Sequence, residues 1–176
     1  LDCIDYSRAR GTCNAQTSMI LKNKTVAVVG LGKSGFAAAK FLRLKKCRVR
    51  VTDSSQTKEV LQNAASLRRL GVDVETGCHT EEFLNGVDFF VTSPGVPKNS
   101  LPLSFARRRR LRVISEIELA GFFCPGKIIA ITGSNGKTTT SHLVHRLLRD
   151  AGKKSILCGN VGTSFLGSLA AMDRKT

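Results

Sequence analysis

The chain has 176 residues, which is enough for one domain or for one domain and part of a second. Its 41% hydrophobic and 23% charged residues are ordinary for a globular protein, and no apolar run approaches the ~18 residues that a membrane span needs. The net charge of +15 suits anionic ligands, nucleic acid or anionic lipid. The lack of Trp and the single Tyr argue against base stacking on aromatic rings.

Residues 1–18 differ from the rest because they are polar and lack hydrophobic periodicity. Arg8 and Arg10 suit a cleaved targeting peptide, but no apolar stretch supports a secretory signal. Met19 precedes the first strand pattern and could be the native start, with a leader that comes from upstream. We expect residues 1–18 to be disordered.

From residue 19 to residue 123, apolar runs typical of strands alternate with helical patterns, which predicts one Rossmann-like domain. The alternation indicates an α/β fold, with a doubly wound parallel sheet and helices on both faces. Right-handed crossovers place the carboxyl ends of the strands at one edge, where ligands bind. The predicted strands cover residues 25–29, 48–52, 72–75, 87–92 and 113–114. The predicted helices pass through residues 37–42 and cover 57–70, 103–110 and 116–123.

A glycine loop follows the first predicted strand. Gly30, Gly32 and Gly35 have the GxGxxG spacing, and Asp53 ends the next strand, as in the dinucleotide fingerprint. Gly32 would let a diphosphate approach the backbone, and Asp53 would accept hydrogen bonds from a ribose or base. Taken alone, the loop favours NAD; the alternative is that its glycines only allow a helix to pack closely on a strand.

A second unit begins after a linker at residues 124–127, where Pro125 and Gly126 interrupt the pattern. Residues 128–131 are four apolar residues that predict a short buried strand. A helix over 138–151 and a strand at 155–157 follow. Since so small a unit can hardly bury a core of its own, residues 128–176 are predicted to be an incomplete P-loop domain.

The loop of the second unit has the composition of a phosphate site. A strand, a glycine loop and a helix start present backbone N–H groups and the positive end of a helix dipole. Lys137 adds a full charge, and Thr138 offers a hydroxyl to Mg²⁺. The loop is a shortened P-loop, because Ile131 stands where the full pattern has its first glycine. A plain strand-to-helix turn would need neither the lysine nor two threonines, so the loop predicts an ATP site.

Two other features carry less information about function. Residues 107–110 and Arg112 form the densest basic run, which we interpret as the solvated face of a helix end. None of the six cysteines forms a Cys-x-x-Cys pair, which favours free thiols over a zinc or redox site.

Five motifs, taken together in their order and spacing, resemble those of the Mur ligases of peptidoglycan synthesis, nearest to the branch that adds D-glutamate. The resemblance covers residues 20–165, and the first domain of that family binds UDP, so it overrides the NAD interpretation. The motifs are Gly30-Leu-Gly-Lys-Ser-Gly35, Thr92-Ser-Pro-Gly-Val96, Ser115-Glu-Ile-Glu-Leu119, Thr132-Gly-Ser-Asn-Gly-Lys-Thr-Thr139 and Gly159-Asn-Val-Gly162.

The resemblance implies two sets of binding residues and two catalytic residues. Lys137 would contact the β- and γ-phosphates of ATP, and Thr138 would bind Mg²⁺. One departure is Ser55, where relatives often carry Arg. The residues implied for the UDP substrate are Gly32, Lys33, Ser34, Asp53, Ser54, Ser93, Pro94, Gly95 and Asn160. Those implied for ATP are Gly133, Ser134, Asn135, Gly136, Lys137, Thr138 and Thr139.

The reaction implied by the resemblance is ATP-driven addition of D-glutamate to UDP-MurNAc-L-Ala through an acyl phosphate. It depends on charge neutralisation and on the alignment of the substrates. The resemblance also implies a cytoplasmic monomer with small-molecule substrates, no nucleic-acid partner and no membrane span. The D-glutamate domain of the family lies beyond residue 176, so we expect a fragment that is inactive alone. An NAD-dependent dehydrogenase, a basic nucleic-acid-binding NTPase fragment and a non-catalytic UDP-sugar-binding module remain the alternatives.

Overall fold

The computed structural model describes residues 21–159 and 163–176. The predicted leader at 1–18 and the possible start at Met19 lie outside these residues. None of the helices in the described ranges has the length and apolar character that crossing a bilayer requires. The strands are β1 (Thr25–Val29), β2 (Arg48–Asp53), β3 (Asp73–Thr76), β4 (Phe89–Thr92) and β5 (Arg112–Ser115). The helices are α1 (Lys33–Leu44), α2 (Lys58–Arg69), α3 (Glu81–Leu84), α4 (Leu101–Arg108), α5 (Glu116–Phe123), α6 (Lys137–Asp150) and α7 (Phe165–Ser168), followed by a 3-10 turn, Leu169–Ala171.

The five strands form one parallel sheet in the order β3-β2-β1-β4-β5, which confirms the predicted α/β fold. Alternate residues of the central strand point to opposite faces of the sheet, and both sets are apolar. Helices therefore cover both faces. Val26 and Val28 of β1 join the core beneath α1, α2 and α5. Ala27 and Val29 join the smaller core beneath α3 and α4. The near-continuous apolar sequence of β1 is therefore explained by burial on both sides.

Local capping signals set several helix boundaries near the predicted residues. The Thr57 hydroxyl accepts a hydrogen bond from the Val60 amide at the start of α2, and Gly71 follows its end with a positive φ of 73°. Helix α5 matches the predicted bounds because Ser115 and Glu118 form a reciprocal capping box.

Helix α7 was not predicted, and it packs on the first domain. Phe165 and Leu166 are buried in the core shared by α1 and α5. The carboxylate of Glu116, at the start of α5, accepts a hydrogen bond of 2.8 Å from the Leu166 amide. The C-terminal stretch thus contributes apolar side chains to the core of the Rossmann-like domain.

The predicted strand at residues 128–131 is wrong. The segment forms no strand, and Ile128 and Ile129 are 36% and 59% exposed. An apolar run becomes a strand only when a neighbouring strand pairs with its backbone, and among the described residues this run has no such partner. The predicted strand at 155–157 is missing for the same reason; only an isolated bridge joins Cys158 to Thr163 nearby.

Candidate functional site

A cleft of about 640 Å³ opens at the carboxyl ends of β1, β2 and β4. It brings together every residue implied for the UDP substrate except Asn160, which lies outside the described residues. Because parallel strands end at the same edge, loops that are far apart in sequence meet there. The residues implied by the sequence that line the cleft are Gly32, Lys33, Ser34, Asp53, Ser54, Ser93, Pro94 and Gly95.

The three glycines of the first loop have different structural reasons. Gly30 has a φ of 92°, which is strained for residues with a side chain. A Cβ atom at Gly35 would overlap the carbonyl oxygen of Gly30, so the close approach of α1 to β1 requires glycine there. A Cβ atom at Gly32 would meet no protein atom within 4 Å. The fold therefore leaves space at Gly32, as the close approach of a diphosphate would require.

Asp53 supports the glycine loop from the end of β2. Its Oδ2 accepts a hydrogen bond of 2.6 Å from the Leu31 amide, and its Oδ1 accepts one of 2.8 Å from the Ser55 amide. The Asn63 side chain of α2 donates to the Leu31 carbonyl oxygen over 3.1 Å. Both backbone polar groups of Leu31 are thus held in place, and Asp53 is a structural support of the loop as well as a wall of the cleft.

The helix start beneath this loop is suited to an anion. Helix α1 begins after Gly32 without a side-chain cap and without an acidic residue in its first turn. Its amides and the positive end of its dipole therefore have no carboxylate of their own to neutralise them. Lys33, the first residue of the helix, adds a full positive charge to the wall of the cleft.

Sequence reasoning missed a histidine in this cleft. His79 follows β3 and lies in the wall, with its Nδ1 atom 2.6 Å from the Oγ1 atom of the buried Thr52. The position just beyond a strand end, at the edge where the ligand residues gather, is the signal that could have identified it. Val96, Pro97, Ser100 and Leu101, after β4, also line the cleft and were not predicted.

The second glycine loop lies at the start of α6. Gly136 precedes the helix with a φ of 76°, and α6 has neither a side-chain cap nor an acidic residue in its first turn. The Lys137 ammonium donates to the carbonyl oxygens of Gly133 and of Ser134, the latter over 2.9 Å. The lysine is therefore held against its own loop, and a bound phosphate would compete with these two carbonyl groups for it.

A second cleft, of about 370 Å³, lies between α6, residues 128–131 and residues 155–159. Lys137 and Thr138 line it, whereas Gly133, Ser134, Asn135, Gly136 and Thr139 do not. Aliphatic side chains of residues 128–131 and α6 form much of its wall. The structure thus brings the two implied catalytic residues to one cleft but leaves the rest of the loop exposed outside it.

The buried Glu116 and the half-buried Cys158 lie where α5 meets the C-terminal stretch. Burial raises the pKa of Glu116, although the hydrogen bond from the Leu166 amide acts in the opposite direction. Burial also raises the pKa of the Cys158 thiol, and the nearby Cys124 and Glu116 add to the effect. A raised pKa keeps the Cys158 thiol protonated and poorly nucleophilic at neutral pH.

The exposed basic run takes the form interpreted from the sequence. Helix α4 ends at Arg108, and residues 107–110 are all exposed. Arg107 donates to the Lys98 carbonyl oxygen over 3.1 Å, and Arg108 pairs with Glu81. Among the described residues, no cluster of three His, Cys, Asp or Glu side chains forms a metal site.

Two family descriptions match the chain. Residues 24–115 match the description "Mur ligase MurD-like, N-terminal domain", and residues 131–174 match "Mur ligase middle domain". The first match includes the whole sheet and the glycine loop with Asp53. The second includes the loop at Lys137 and helix α6.

Curated relatives carry the same name. The UDP-N-acetylmuramoylalanine--D-glutamate ligase of Koribacter versatilis is 48% identical over 145 residues, which are 82% of this chain and 32% of the relative. The enzyme of that name from Geobacter sp. (strain M21) is 40% identical over 148 residues, 84% of this chain and 33% of the relative. The chain therefore spans about a third of the length of these relatives.

Solved structures agree on the fold. A murein peptide ligase from Psychrobacter arcticus superposes with a TM-score of 0.52 at 20% identity, over 74% of this chain and 27% of that one. The UDP-N-acetylmuramate:L-alanyl-gamma-D-glutamyl-meso-diaminopimelate ligase from Neisseria meningitides gives 0.51 at 20% identity, over 81% and 46%. Since the MurD-like description alone covers more than half of the residues, the chain belongs to the Mur ligase family.

Proposed function

We propose that this chain is the UDP-substrate-binding and nucleotide-binding part of a ligase that adds D-glutamate to UDP-MurNAc-L-Ala. One observation carries the proposal: residues from three separate strand ends, Gly32, Asp53 and the turn Ser93–Gly95, converge on a single cleft. The names of the relatives support the substrate and the amino acid.

The proposed division of labour assigns residues 19–123 to the UDP substrate and residues 128–176 to ATP, joined by a linker at 124–127. In the first part, the start of α1 and Lys33 would hold the diphosphate, and Asp53, Ser54 and the Ser93–Gly95 turn would border the uridine. In the second part, the loop 133–139 would hold ATP. Asn160 would reach the substrate diphosphate from the second part.

The phosphates of a nucleotide fit the start of α6 by one structural criterion. The helix begins after a left-handed glycine, and neither a side-chain cap nor an acidic group competes with an anion. Lys137 would neutralise charge on the β- and γ-phosphates, and the Thr138 hydroxyl would bind Mg²⁺. ATP would supply the phosphoryl group that activates the substrate carboxylate as an acyl phosphate for attack by the D-glutamate amine.

The ligation belongs to the whole ligase. Because this chain spans about a third of its relatives, we expect the 176 residues to bind substrate but not to ligate D-glutamate. Small-molecule substrates without a nucleic-acid partner, a monomeric state and a cytoplasmic location complete the proposal.

Parallel calorimetric titrations test the proposal. The purified chain is titrated with UDP-MurNAc-L-Ala, UDP, NADH and ATP under the same conditions. We expect the two uridine nucleotides to bind and NADH not to bind. NADH binding in the absence of UDP binding would replace the proposal with a dehydrogenase, and ligation of D-glutamate by the chain alone would contradict its expected inactivity.

A further inference from the structure

The cleft of about 640 Å³ that is proposed to bind the UDP substrate is called the UDP cleft below. The opposite edge of the sheet concentrates positive charge. In a parallel α/β fold, the strands start, and the helices that precede them end, at the edge away from the ligand. The C-terminal ends of α1, α2 and α4 therefore lie beside the first residues of the strands. The basic edge is defined here by the basic residues within 43–46, 68–69 and 108–110, together with Arg48 and Arg112; all of their side chains are exposed.

Contacts between the elements support this arrangement. The Arg43 guanidinium donates to the Leu70 carbonyl oxygen over 3.0 Å and so joins the ends of α1 and α2. The Arg48 amide donates to the Lys24 carbonyl oxygen over 2.8 Å, just before β1 begins. Arg112, at the start of β5, is in register with the first residue of β4.

Few carboxylates offset this charge. Asp73 begins β3, and Asp88 lies just before β4, where it forms a 2.8 Å ion pair with Lys24. Glu81 pairs with Arg108. The dipoles of the helices favour basic residues at their C-terminal ends, but this effect is local and leaves the edge with a large positive excess.

Exposed leucines lie among the charges. Leu44 and Leu70, at the joined ends of α1 and α2, are 80% and 46% exposed. The helix dipole explains the signs of the neighbouring charges, but it gives no reason for aliphatic side chains that project into water beside them. A surface that combines basic residues with projecting aliphatic ones is typical of proteins that bind anionic membranes from one side.

These features favour a bilayer over a nucleic acid. Rings near this edge already lie beneath cations: Lys45 covers Phe123, Arg109 covers Phe105 and Arg112 covers Phe122. They are therefore poor platforms for bases. Leu44 gains from contact with acyl chains but not with a phosphate backbone. We propose that the basic edge binds the surface of an anionic phospholipid bilayer and leaves the UDP cleft facing away from it.

Vesicle sedimentation with matched variants tests this proposal. Among the described residues, the side chains of Arg48, Arg69 and Arg110 have no hydrogen-bond or ion-pair partner, so their replacement should leave the fold intact. The edge variant is Arg48→Gln/Arg69→Gln/Arg110→Gln. The control, Lys58→Gln/Lys98→Gln/Lys153→Gln, removes the same charge from exposed positions away from the basic edge. Circular dichroism verifies that both variants melt as the parent chain does.

We expect the parent chain to sediment with vesicles that contain about one-third phosphatidylglycerol, and not with phosphatidylcholine alone, at physiological ionic strength. Each basic side chain near an anionic surface raises the affinity for the vesicles about fivefold. The edge variant should therefore bind about a hundredfold more weakly than the parent chain, and the control should bind nearly as the parent chain does. Leu44→Ser should weaken binding about tenfold.

Four results would overturn the proposal. They are no binding of the parent chain to anionic vesicles, an equal loss in the control, unchanged binding of Leu44→Ser, and tighter binding to a single-stranded oligonucleotide than to vesicles at the same salt concentration. The third result would reduce the edge to a general polyanion surface, and the fourth would assign it to nucleic acid.

Discussion

A pair of glycine substitutions separates the folding role of the first loop from its binding role. A Cβ atom at Gly35 would overlap the Gly30 carbonyl oxygen and lie 2.9 Å from the Gly30 carbonyl carbon, so backbone must move. Overpacking typically costs 1–3 kcal/mol, and we expect about 3 kcal/mol for Gly35→Ala because a backbone group cannot change rotamer. For a chain of this size, that loss lowers the Tm by roughly 6–12 °C.

Gly32→Ala should behave in the opposite way. Its Cβ atom meets no protein atom within 4 Å, and its φ of −74° suits any residue. The slightly worse helix cap and the lower entropy of the unfolded chain offset each other, so we expect a stability change within about 1 kcal/mol. The new methyl group would hold a diphosphate away from the amides of α1. Losing one charge-assisted hydrogen bond of about 1.5–3 kcal/mol weakens UDP binding at least tenfold.

Thermal unfolding followed by circular dichroism and calorimetric titration with UDP measure both effects on the same two variants. Gly32→Ala with the UDP affinity of the parent chain would show that no phosphate approaches this position. Gly35→Ala with the Tm of the parent chain would show that α1 can move away from β1 at little cost.

Three further substitutions test Lys137, Asp53 and the buried Glu116. Lys137→Ala should weaken ATP binding roughly 10- to 150-fold through loss of one charge-assisted hydrogen bond of about 1.5–3 kcal/mol, and an unchanged affinity in an ATP titration would remove this loop from the proposed site. Asp53→Ala leaves the Leu31 and Ser55 amides without their carboxylate and should lower the free energy of unfolding by about 2 kcal/mol, whereas an unchanged midpoint of urea unfolding would show that water replaces it. Burial raises the pKa of Glu116, so its contribution to stability is fully present below its ordinary pKa of 4.5 and is lost as the pH rises through the raised value. Glu116→Gln should match the parent chain in urea unfolding at about pH 4 and exceed it at about pH 8, and equal stabilities at both pH values would contradict this assignment.

The set of residues that meet in the first cleft could be predicted well because most of their signals are local. A loop with the spacing of Gly30, Gly32 and Gly35 after an apolar strand requires a particular turn, whatever lies elsewhere in the chain. The same holds for Asp53, which directly follows its strand. His79 and Asn63 were missed because their positions depend on which strands become neighbours, and residue spacing alone does not determine that order.

The prediction failed where an element depends on pairing partners. Residues 128–131 have the composition of a buried strand, but composition does not supply a neighbouring backbone. Helix α7 shows the opposite failure, an element that forms although it was not predicted. Its four residues carry little helical signal of their own. Burial of Phe165 and Leu166 against α1 and α5 stabilises it.

The amino-acid sequence by itself determined the alternation of strands and helices, the bounds of α5 and the loop geometry at Gly30 and Gly35. These features depend on contacts within a few residues or on steric limits of the backbone. Only the tertiary structure decided that Asp53 supports the glycine loop, that α7 packs on the first domain and that basic residues from three helix ends share one edge. Each of these requires residues far apart in the chain to meet, and the order of strands in the sheet is what brings them together.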